Sequence, residues 1–356
     1  NEKLGKDEPF DAEVLSVAGG QTVMKIGGEV TYNFPGRIAF QSVPENLMSK
    51  PTLVWKLESK LAKQKVEATY LTQSLNWRSD YVFVINDADS AGDLTGWVTL
   101  VNNSGASYKN ARLKLVAGDV QRVSARDEMD DERSYKKSAE SAGARRFAEE
   151  SFFEYHLYTL SQPTDVLENE QKQVTLLEAK NAKVQKKLIY FGQQYWYRGR
   201  HGEVQKNQKV GVYLDVQNTK ANGLGIPLPK GTVRVYKADK SGAKQFIGED
   251  NIDHTPRDEK VRIKMGEAFD VVGDRKQMEW RTLGTCSSES TWEIELRNHK
   301  DQASRVEIFE PIGGDWTMVE STHKHDKKDA HTFTFDVNVP ANGKTKIKYK
   351  VRVKWC

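Results

Sequence analysis

The sequence predicts an all-β protein of two to three immunoglobulin-like or fibronectin-like β-sandwiches, with one short helical linker. Residues 70–123 contain three short runs of β-branched and aromatic residues, separated by Asn, Asp, Gly and Ser clusters. This pattern is typical of strands joined by turns. Residues 331–339 and 347–355 alternate between apolar and polar side chains, which predicts half-buried strands. At 356 residues the chain is long enough for several cores.

The pattern of strands and breaks predicts three regions. Residues 1–66 form a small N-terminal β region, in which Gly19-Gly20 and Gly27-Gly28 indicate hairpins. Residues 67–272 form a β-sandwich region that contains an acidic linker at 127–150, expected to become helical near 142–150 because Ala and Glu favour helices. Residues 273–356 form a C-terminal immunoglobulin-like sandwich.

Three segments share a layout that predicts a hairpin. In each, an alternating strand ends at an Asn, a polar turn follows, and a second alternating strand begins. The segments are 96–116 with Asn102, 210–236 with Asn218, and 292–309 with Asn298. The similarity suggests that one sandwich edge is built more than once, although no fixed period indicates a solenoid.

Composition excludes some function classes. Lys and Arg total 54 against 50 Asp and Glu, so the net charge of +4 does not indicate a nucleic-acid-binding protein. No apolar run reaches the length of a membrane span. The first residue, Asn1, fits a mature secreted protein or equally a trimmed chain. Cys286 and Cys356 are interpreted as a disulfide, which would imply an oxidising compartment, or as two free thiols.

Several motifs resemble one protein family. They are YLTQSLNWRSDY (70–81), GWVTL (96–100), NSG (103–105), LVAGD (115–119), GLGIPLP (223–229), GED (248–250), HTP (254–256), GEAFD (266–270) and YKVRV (349–353). In this order they resemble the bacterial mucoidy-inhibitor-like proteins, whose main domain is of unknown function. The resemblance runs from Leu47 to the C-terminus and implies a secreted or envelope-associated, β-rich protein. It implies no catalytic residues. Many relatives add an N-terminal coiled-coil portion that this chain lacks.

The aromatic segment at 195–198 is the most suggestive candidate site. Tyr195, Trp196, Tyr197 and Arg198 combine three aromatic rings with a cation, a set that stacks on sugars or on a protein partner. The resemblance to that family does not extend to this segment. The alternative interpretation is a strand whose two faces bury these rings in part.

Two further clusters have both a functional and a structural interpretation. Asp250, Asp253 and His254 offer ligands for a divalent cation, or form a turn in which Asp side chains bind backbone amides. The second is a ladder of five cations that share one strand face and would meet an anionic polysaccharide or lipid headgroups, or act as a solubilising face offset by Glu293 and Glu295. Its members are Lys346, Lys348, Lys350, Arg352 and Lys354.

No catalytic motif for phosphate binding, metalloprotease or serine hydrolase chemistry occurs in the sequence. The sequence therefore predicts a non-enzymatic structural or interaction protein of the bacterial envelope or exterior, without a cofactor. It would be secreted, periplasmic or extracellular, and its partners would be further copies of itself, in self-assembly through strand edges, or other envelope proteins. Two alternatives remain open. One is a carbohydrate-binding module that uses the aromatic surface to bind a glycan, and the other is a metal-dependent hydrolase at the 249–254 loop.

Overall fold

A computed structural model describes residues 11–18, 21–32, 52, 54–118 and 147–356. Within these ranges the chain forms 21 β-strands and two short 3-10 helices, Gln194–Arg198 and Lys220–Asn222, and no α-helix. The all-β prediction is confirmed. The chain divides into two compact units, Asn1–Lys63 and Gln64–Cys356.

The first unit contains one antiparallel sheet. Its strands are β1 (Ala12–Ala18), β2 (Gln21–Ile26) and β3 (Glu29–Tyr32), in the order β1-β2-β3. Gly27 and Gly28 join β2 to β3 with φ angles of 55° and 93°. Two successive positive φ angles are those of a type I′ hairpin turn, so the hairpin predicted there is confirmed.

The second unit contains eighteen strands among its described residues. In chain order they are β4 (Leu75–Ile85), β5 (Ala91–Asn102), β6 (Tyr108–Ala111), β7 (Lys114–Ala117), β8 (Phe147–Phe152), β9 (Tyr155–Leu160), β10 (Thr164–Val166), β11 (Glu170–Phe191), β12 (Glu203–Gln217), β13 (Gly231–Ala238), β14 (Lys244–Ile252), β15 (Lys260–Gly284), β16 (Ser287–Asn298), β17 (Ser304–Pro311), β18 (Asp315–Ser321), β19 (His325–Asp329), β20 (Thr332–Val339) and β21 (Gly343–Lys354).

Thirteen of these strands form one continuous sheet. Its main path is β14-β13-β4-β5-β11-β12-β15-β16-β21-β18, and β17 branches from β11 to β20 and then β19. The pairs β4–β13 and β11–β17 are parallel, and the other pairs of this sheet are antiparallel. Two small sheets, β7-β9-β8 and β10-β6, accompany it.

The sheet encloses two separate apolar cores that share three long strands. β11 places Val184 in the first core and Tyr190 in the second, and β15 places Ile263 in the first and Val271 in the second. β12 likewise lines both cores. Residue 272, where the sequence divides two regions, lies inside β15, and the pairing of β15 with β12 and β16 continues there. The immunoglobulin-like assignment stays a prediction.

The three predicted hairpins are wrong, although the Asn residues that suggested them do share one role. The strands on the two sides of each turn join different neighbours: β5 pairs with β4 and β11, whereas β7 pairs with β9. The same holds for β12 and β13 and for β16 and β17. Each turn is therefore an arch between strands that do not pair with each other.

A buried Asn side chain closes each arch. Asn102, Asn218 and Asn298 are all buried, and each Nδ2 donates to a carbonyl within its own arch. The acceptors are Ala106, Ile226 and Gln302, each at 2.8 Å. Each Nδ2 also donates to a segment beyond the arch, namely to the carbonyls of Leu167 (3.0 Å), Pro256 (2.8 Å) and Pro340 (3.1 Å). The shared sequence layout is thus a signature of a clamped arch.

Of the linker predicted at 127–150, residues 127–146 lie outside the described residues. Its last four residues are not helical, because they belong to strand β8, which pairs with β9. The prediction was wrong because Ala and Glu in β8 have a high helix propensity, which outweighed the weak alternation of its partly exposed residues.

Candidate functional site at the end of the second core

The segment between β11 and β12 covers one end of the second core. Its backbone is fixed at both ends, because Gly192 N–H donates to the carbonyl of Phe309 at 2.8 Å and Gln277 clamps the far side. The Gln277 side chain donates to the carbonyl of Gly199 at 2.9 Å and accepts from the His201 N–H at 2.6 Å. Between these anchors lies the 3-10 helix Gln194–Arg198.

The 3-10 helix sends two of its aromatic residues inward. Trp196 and Tyr197 are buried in the second core, and the Tyr197 hydroxyl donates to Glu310 Oε2 at 2.8 Å. The hydroxyls of Tyr197 and Tyr349 lie 2.7 Å apart. Burial raises the pKa of both phenols well above the usual range. These two rings of the predicted aromatic site are therefore parts of the core.

A buried ion pair lies beneath the helix. Arg275 and Glu310 are both 0% exposed, with Arg275 Nη2 2.7 Å from Glu310 Oε1 and Nη1 donating to Oε2 at 3.0 Å. The guanidinium carbon lies over two rings, 5.1 Å from the Tyr190 centroid and 5.0 Å from that of Trp196. Burial raises the pKa of the Glu310 carboxyl, and the Arg275 charge opposes that rise. Since both charges are sealed from solvent, this cluster is part of the core.

The outer side of the helix carries the groups that a ligand can reach. Tyr195 is 59% exposed and Arg198 is exposed. The Arg198 guanidinium lies over the Trp355 ring, 5.0 Å from its centroid. Among the described residues, Arg198 forms neither a salt bridge nor a side-chain hydrogen bond. We call Tyr195, Arg198 and Trp355 the outer face. Of the four residues predicted at 195–198, two thus contribute to it.

Trp355 belongs to the outer face but was not predicted as a site residue. In the sequence it continues the apolar alternation of β21, which assigned it to the core. Its position next to Cys356 was the available signal. A disulfide bond joins Cys356 to Cys286, with 5.7 Å between the Cα atoms, and Trp355 N–H donates to the Cys286 carbonyl at 2.8 Å. The sequence allowed either a disulfide or two free thiols, and the structure has the disulfide. It holds Trp355 beside Arg198.

Comparison with known families accounts for most of the chain. Residues 66–356 match a family described as Domain of unknown function (DUF4139). The chain belongs to the DUF4139 family. Among curated proteins, none matches this chain. The narrower resemblance to mucoidy-inhibitor-like proteins stays a prediction. The matched range contains both cores, the outer face and the disulfide of this DUF4139 protein.

The three candidate metal ligands of the DUF4139 region do not converge. The Asp250 carboxylate accepts from two backbone amides, Asn251 N at 2.9 Å and Lys264 N at 2.6 Å. His254 Nδ1 accepts from Lys230 N at 3.2 Å, and the Asp253 carbonyl accepts from the Thr255 hydroxyl at 2.9 Å. Over the described ranges, no group of three or more His, Cys, Asp or Glu residues could hold a metal ion. The metal site at these residues stays a prediction, and each of the contacts above involves a backbone group.

The basic ladder on β21 faces a row of acids on β16. Lys346 lies 3.2 Å from both Glu293 and Glu295, and Arg352 Nη2 lies 3.0 Å from Glu289. Lys350 lies 3.9 Å from Glu279, while Lys348 and Lys354 have no ion-pair partner among the described residues. Most of the charge of this DUF4139 strand is therefore compensated across the sheet. In the described part of the chain, no helix is long and apolar enough to span a membrane.

Proposed function

We propose that this DUF4139 protein is a non-enzymatic interaction protein that acts in the cell envelope or outside the cell. The disulfide between Cys286 and Cys356 supports the compartment, because structural disulfides persist where the environment is oxidising. The outer face supports the mode of action, because it presents an exposed aromatic residue and an unpaired cation on a rigid frame.

The buried polar cluster supports a role without catalysis. A general acid or base must come within hydrogen-bond reach of its substrate. Arg275 and Glu310 have no exposed surface, and Tyr197 and Tyr349 surround them with hydroxyl groups. The polar groups of this cluster are thus bonded to one another inside the core.

The edges of the large sheet favour a monomer over the self-assembly expected from the sequence. The three edge strands are β14, β18 and β19. Each has a register shift against its neighbour, and β19 adds Lys327 and Lys328. Bulges and lysines hinder edge-to-edge pairing. Light scattering with negative-stain imaging should therefore find single particles with the mass of one chain, and regular filaments or rings would contradict this.

The chemistry of the outer face favours a glycan that carries a carboxylate. Arg198 is stacked on Trp355, which leaves the guanidinium N–H groups available for a bidentate bond to a carboxylate. Tyr195 offers a ring face for stacking on a sugar. This set is smaller than the four-residue surface predicted from the sequence, and it contains a cation that neutral sugars do not need.

A glycan array with neutral and uronic-acid oligosaccharides tests this binding. We expect the wild type to prefer the acidic glycans, and we expect Arg198→Ala and Tyr195→Ala each to reduce binding at least tenfold. Lys348→Ala is the matched control, since it removes an exposed cation from the basic ladder. Loss of binding in Lys348→Ala but not in Arg198→Ala would transfer the site to β21. If the wild type binds no glycan, the proposal of a glycan ligand is wrong. The proposal of an interaction protein would then be tested with protein partners.

A further inference from the structure

The tip of the β8–β9 hairpin exposes two adjacent phenylalanines. Phe152 is 60% exposed and Phe153 is 82% exposed, and Phe153 has a φ angle of 58°. Positive φ is favoured by Gly and Asn and is unfavourable for a bulky side chain. The turn therefore keeps a large apolar residue at a position where a small one would be more stable and more soluble, and folding alone does not explain that residue.

The hairpin holds the tip in a fixed position. Phe152 pairs with Tyr155 across the hairpin, and the Tyr155 ring lies so close to Gly118 that a Cβ there would be 2.6 Å from its Cδ1. His156 Nδ1 lies 2.9 Å from Glu149 Oε1. Below these contacts, Tyr158 is buried in the first core, and its hydroxyl donates to the Pro227 carbonyl at 2.7 Å. A side chain that is already ordered loses little conformational entropy on binding.

The charged residues of the hairpin itself are acidic. Residues 147–160 contain Glu149, Glu150 and Glu154 and neither Lys nor Arg. Glu149 lies against His156 and Glu150 against Lys114, but Glu154 in the turn itself has no ion-pair partner among the described residues. An anionic lipid surface would repel such a tip. A protein pocket with basic side chains at its rim would attract it.

We propose that Phe152 and Phe153 insert into an apolar pocket, bordered by Lys or Arg, on another protein. Two exposed aromatic rings on a rigid tip have the features of binding hot spots, which are aromatic anchors in a desolvated pocket. Glu154 orients the tip through the basic rim. This site lies on β8 and β9 and shares no residue with the outer face, so it is a second interaction surface, independent of the function proposed above.

Photocrosslinking of the full chain tests the site. Replacement of Phe153 by p-benzoylphenylalanine keeps an aromatic ring at the tip, and irradiation in cells that produce the protein would trap the neighbour. The matched control has the same photoreactive residue at Phe269, which is also 82% exposed but lies on β15. We expect one discrete protein adduct from position 153 and not from position 269. Adducts only with lipid, with a second copy or with this chain itself, or no adduct, would overturn the proposal.

The trapped protein must then bind the purified chain through the tip. We expect Phe153→Gly to weaken that affinity at least tenfold while leaving the melting temperature unchanged or higher, because Gly accepts the positive φ. Glu154→Lys should also weaken the affinity, and more strongly at low salt than at high salt. Phe269→Ala should leave the affinity unchanged. An affinity that Phe153→Gly does not alter would show that the adduct is adventitious and would overturn the proposal.

Discussion

The two cores of the second unit are filled in different ways, although β11, β12 and β15 run through both. In the first core, buried hydroxyl groups are bonded to the backbone: the hydroxyls of Tyr81 and Tyr158 donate to the carbonyls of Pro229 and Pro227, each at 2.7 Å. The second core instead contains a fully buried ion pair. The first core therefore depends on apolar area, and the second depends on mutual compensation of two charges.

The compensation in the second core is incomplete. Arg275 Nε and the Tyr190 hydroxyl are buried without a hydrogen-bond partner among the described residues. Taking two charges out of water is unfavourable, and their attraction offsets that penalty only when the remaining polar atoms are satisfied. We therefore expect the pair to contribute little net stability. Its main effect would be to set how the 3-10 helix, β15 and β17 pack against one another.

The largest expected effect separates the two cores most clearly. Either Arg275→Met or Glu310→Leu leaves one buried charge alone and should lower the free energy of unfolding by about 3–5 kcal/mol. The double variant removes both charges and should lie within about 1 kcal/mol of the wild type, because apolar residues can replace a buried pair. Urea unfolding of the three variants measures this. Additive losses in the double variant would contradict the compensation.

The disulfide should give the next effect. Cys286→Ser with Cys356→Ser opens a connection across 70 residues of sequence and should lower stability by about 2–4 kcal/mol, because the unfolded chain is no longer constrained. Hydrogen exchange resolved by strand is the informative measurement. We expect faster exchange in β16 and β21 than in β4 and β5, which line only the first core. Equal acceleration in all four strands would mean that the cores unfold as one unit.

The arch asparagines test what the two cores have in common. Asn218 closes an arch of the first core and Asn298 one of the second, with the same bonds to nearby and distant carbonyls. Substitution by Ala leaves these carbonyls unsatisfied and should lower stability by about 1–3 kcal/mol in each case. Denaturant unfolding should give equal losses for the two variants. A much larger loss of stability in one variant would show that the same hydrogen-bond geometry contributes differently to the two cores.

The smallest expected effect is a dependence of stability on pH through the buried carboxylate of Asp215 on β12. Burial raises the pKa of Asp215, but hydrogen bonds from Arg262 and the charges of Lys260 and Lys187 outweigh it and hold the pKa below the usual 3.8. The stabilisation by ionised Asp215 is thus present above pH 3.8 and is lost as the pH falls through the lower folded-state pKa.

Unfolding at pH 6 and pH 3 measures this contribution. Asp215→Asn should cost about 1 kcal/mol at pH 6 and less at pH 3, because the lost bonds are charge-assisted only when Asp215 is ionised. Asp326→Asn, on the exposed strand β19, is the control. An equal loss at both pH values would assign the effect of Asp215 to packing.

The sequence predicts strands well where the signal is local. The alternation at 331–339 and 347–355 correctly predicts β20 and β21, because a period of two follows from the strand itself. It also predicts the buried face of β21, whereas in β20 the polar Thr332 and Thr334 are buried together with the apolar residues. It does not predict which strands pair. Asn102, Asn218 and Asn298 look like hairpin turns because the arch and the hairpin share polar turn residues, and only distant carbonyls distinguish them.

The outer face was predictable only in part, because local sequence patterns do not show contacts between distant segments. An alternation of two would place Tyr195 and Tyr197 on one side, but the segment is a 3-10 helix with about three residues per turn. Trp196 and Tyr197 therefore both turn inward. Trp355 is held beside Arg198 by the disulfide of its neighbour Cys356 with Cys286. These segments are far apart in sequence, so no local pattern predicts the contact.

The two parallel pairings affect how this chain reaches its fold. β4 pairs with β13, where Ser79 is opposite Gly231, and β11 pairs with β17, where Leu188 is opposite Val306. Contacts between such distant residues must be formed against a large loss of chain entropy, which makes folding slow. During synthesis, β4 and β11 emerge before β13 and β17, so that the edges that pair with these later strands are at first unpaired. A DUF4139 domain of this topology should therefore need a chaperone that shields early strands until the late ones arrive.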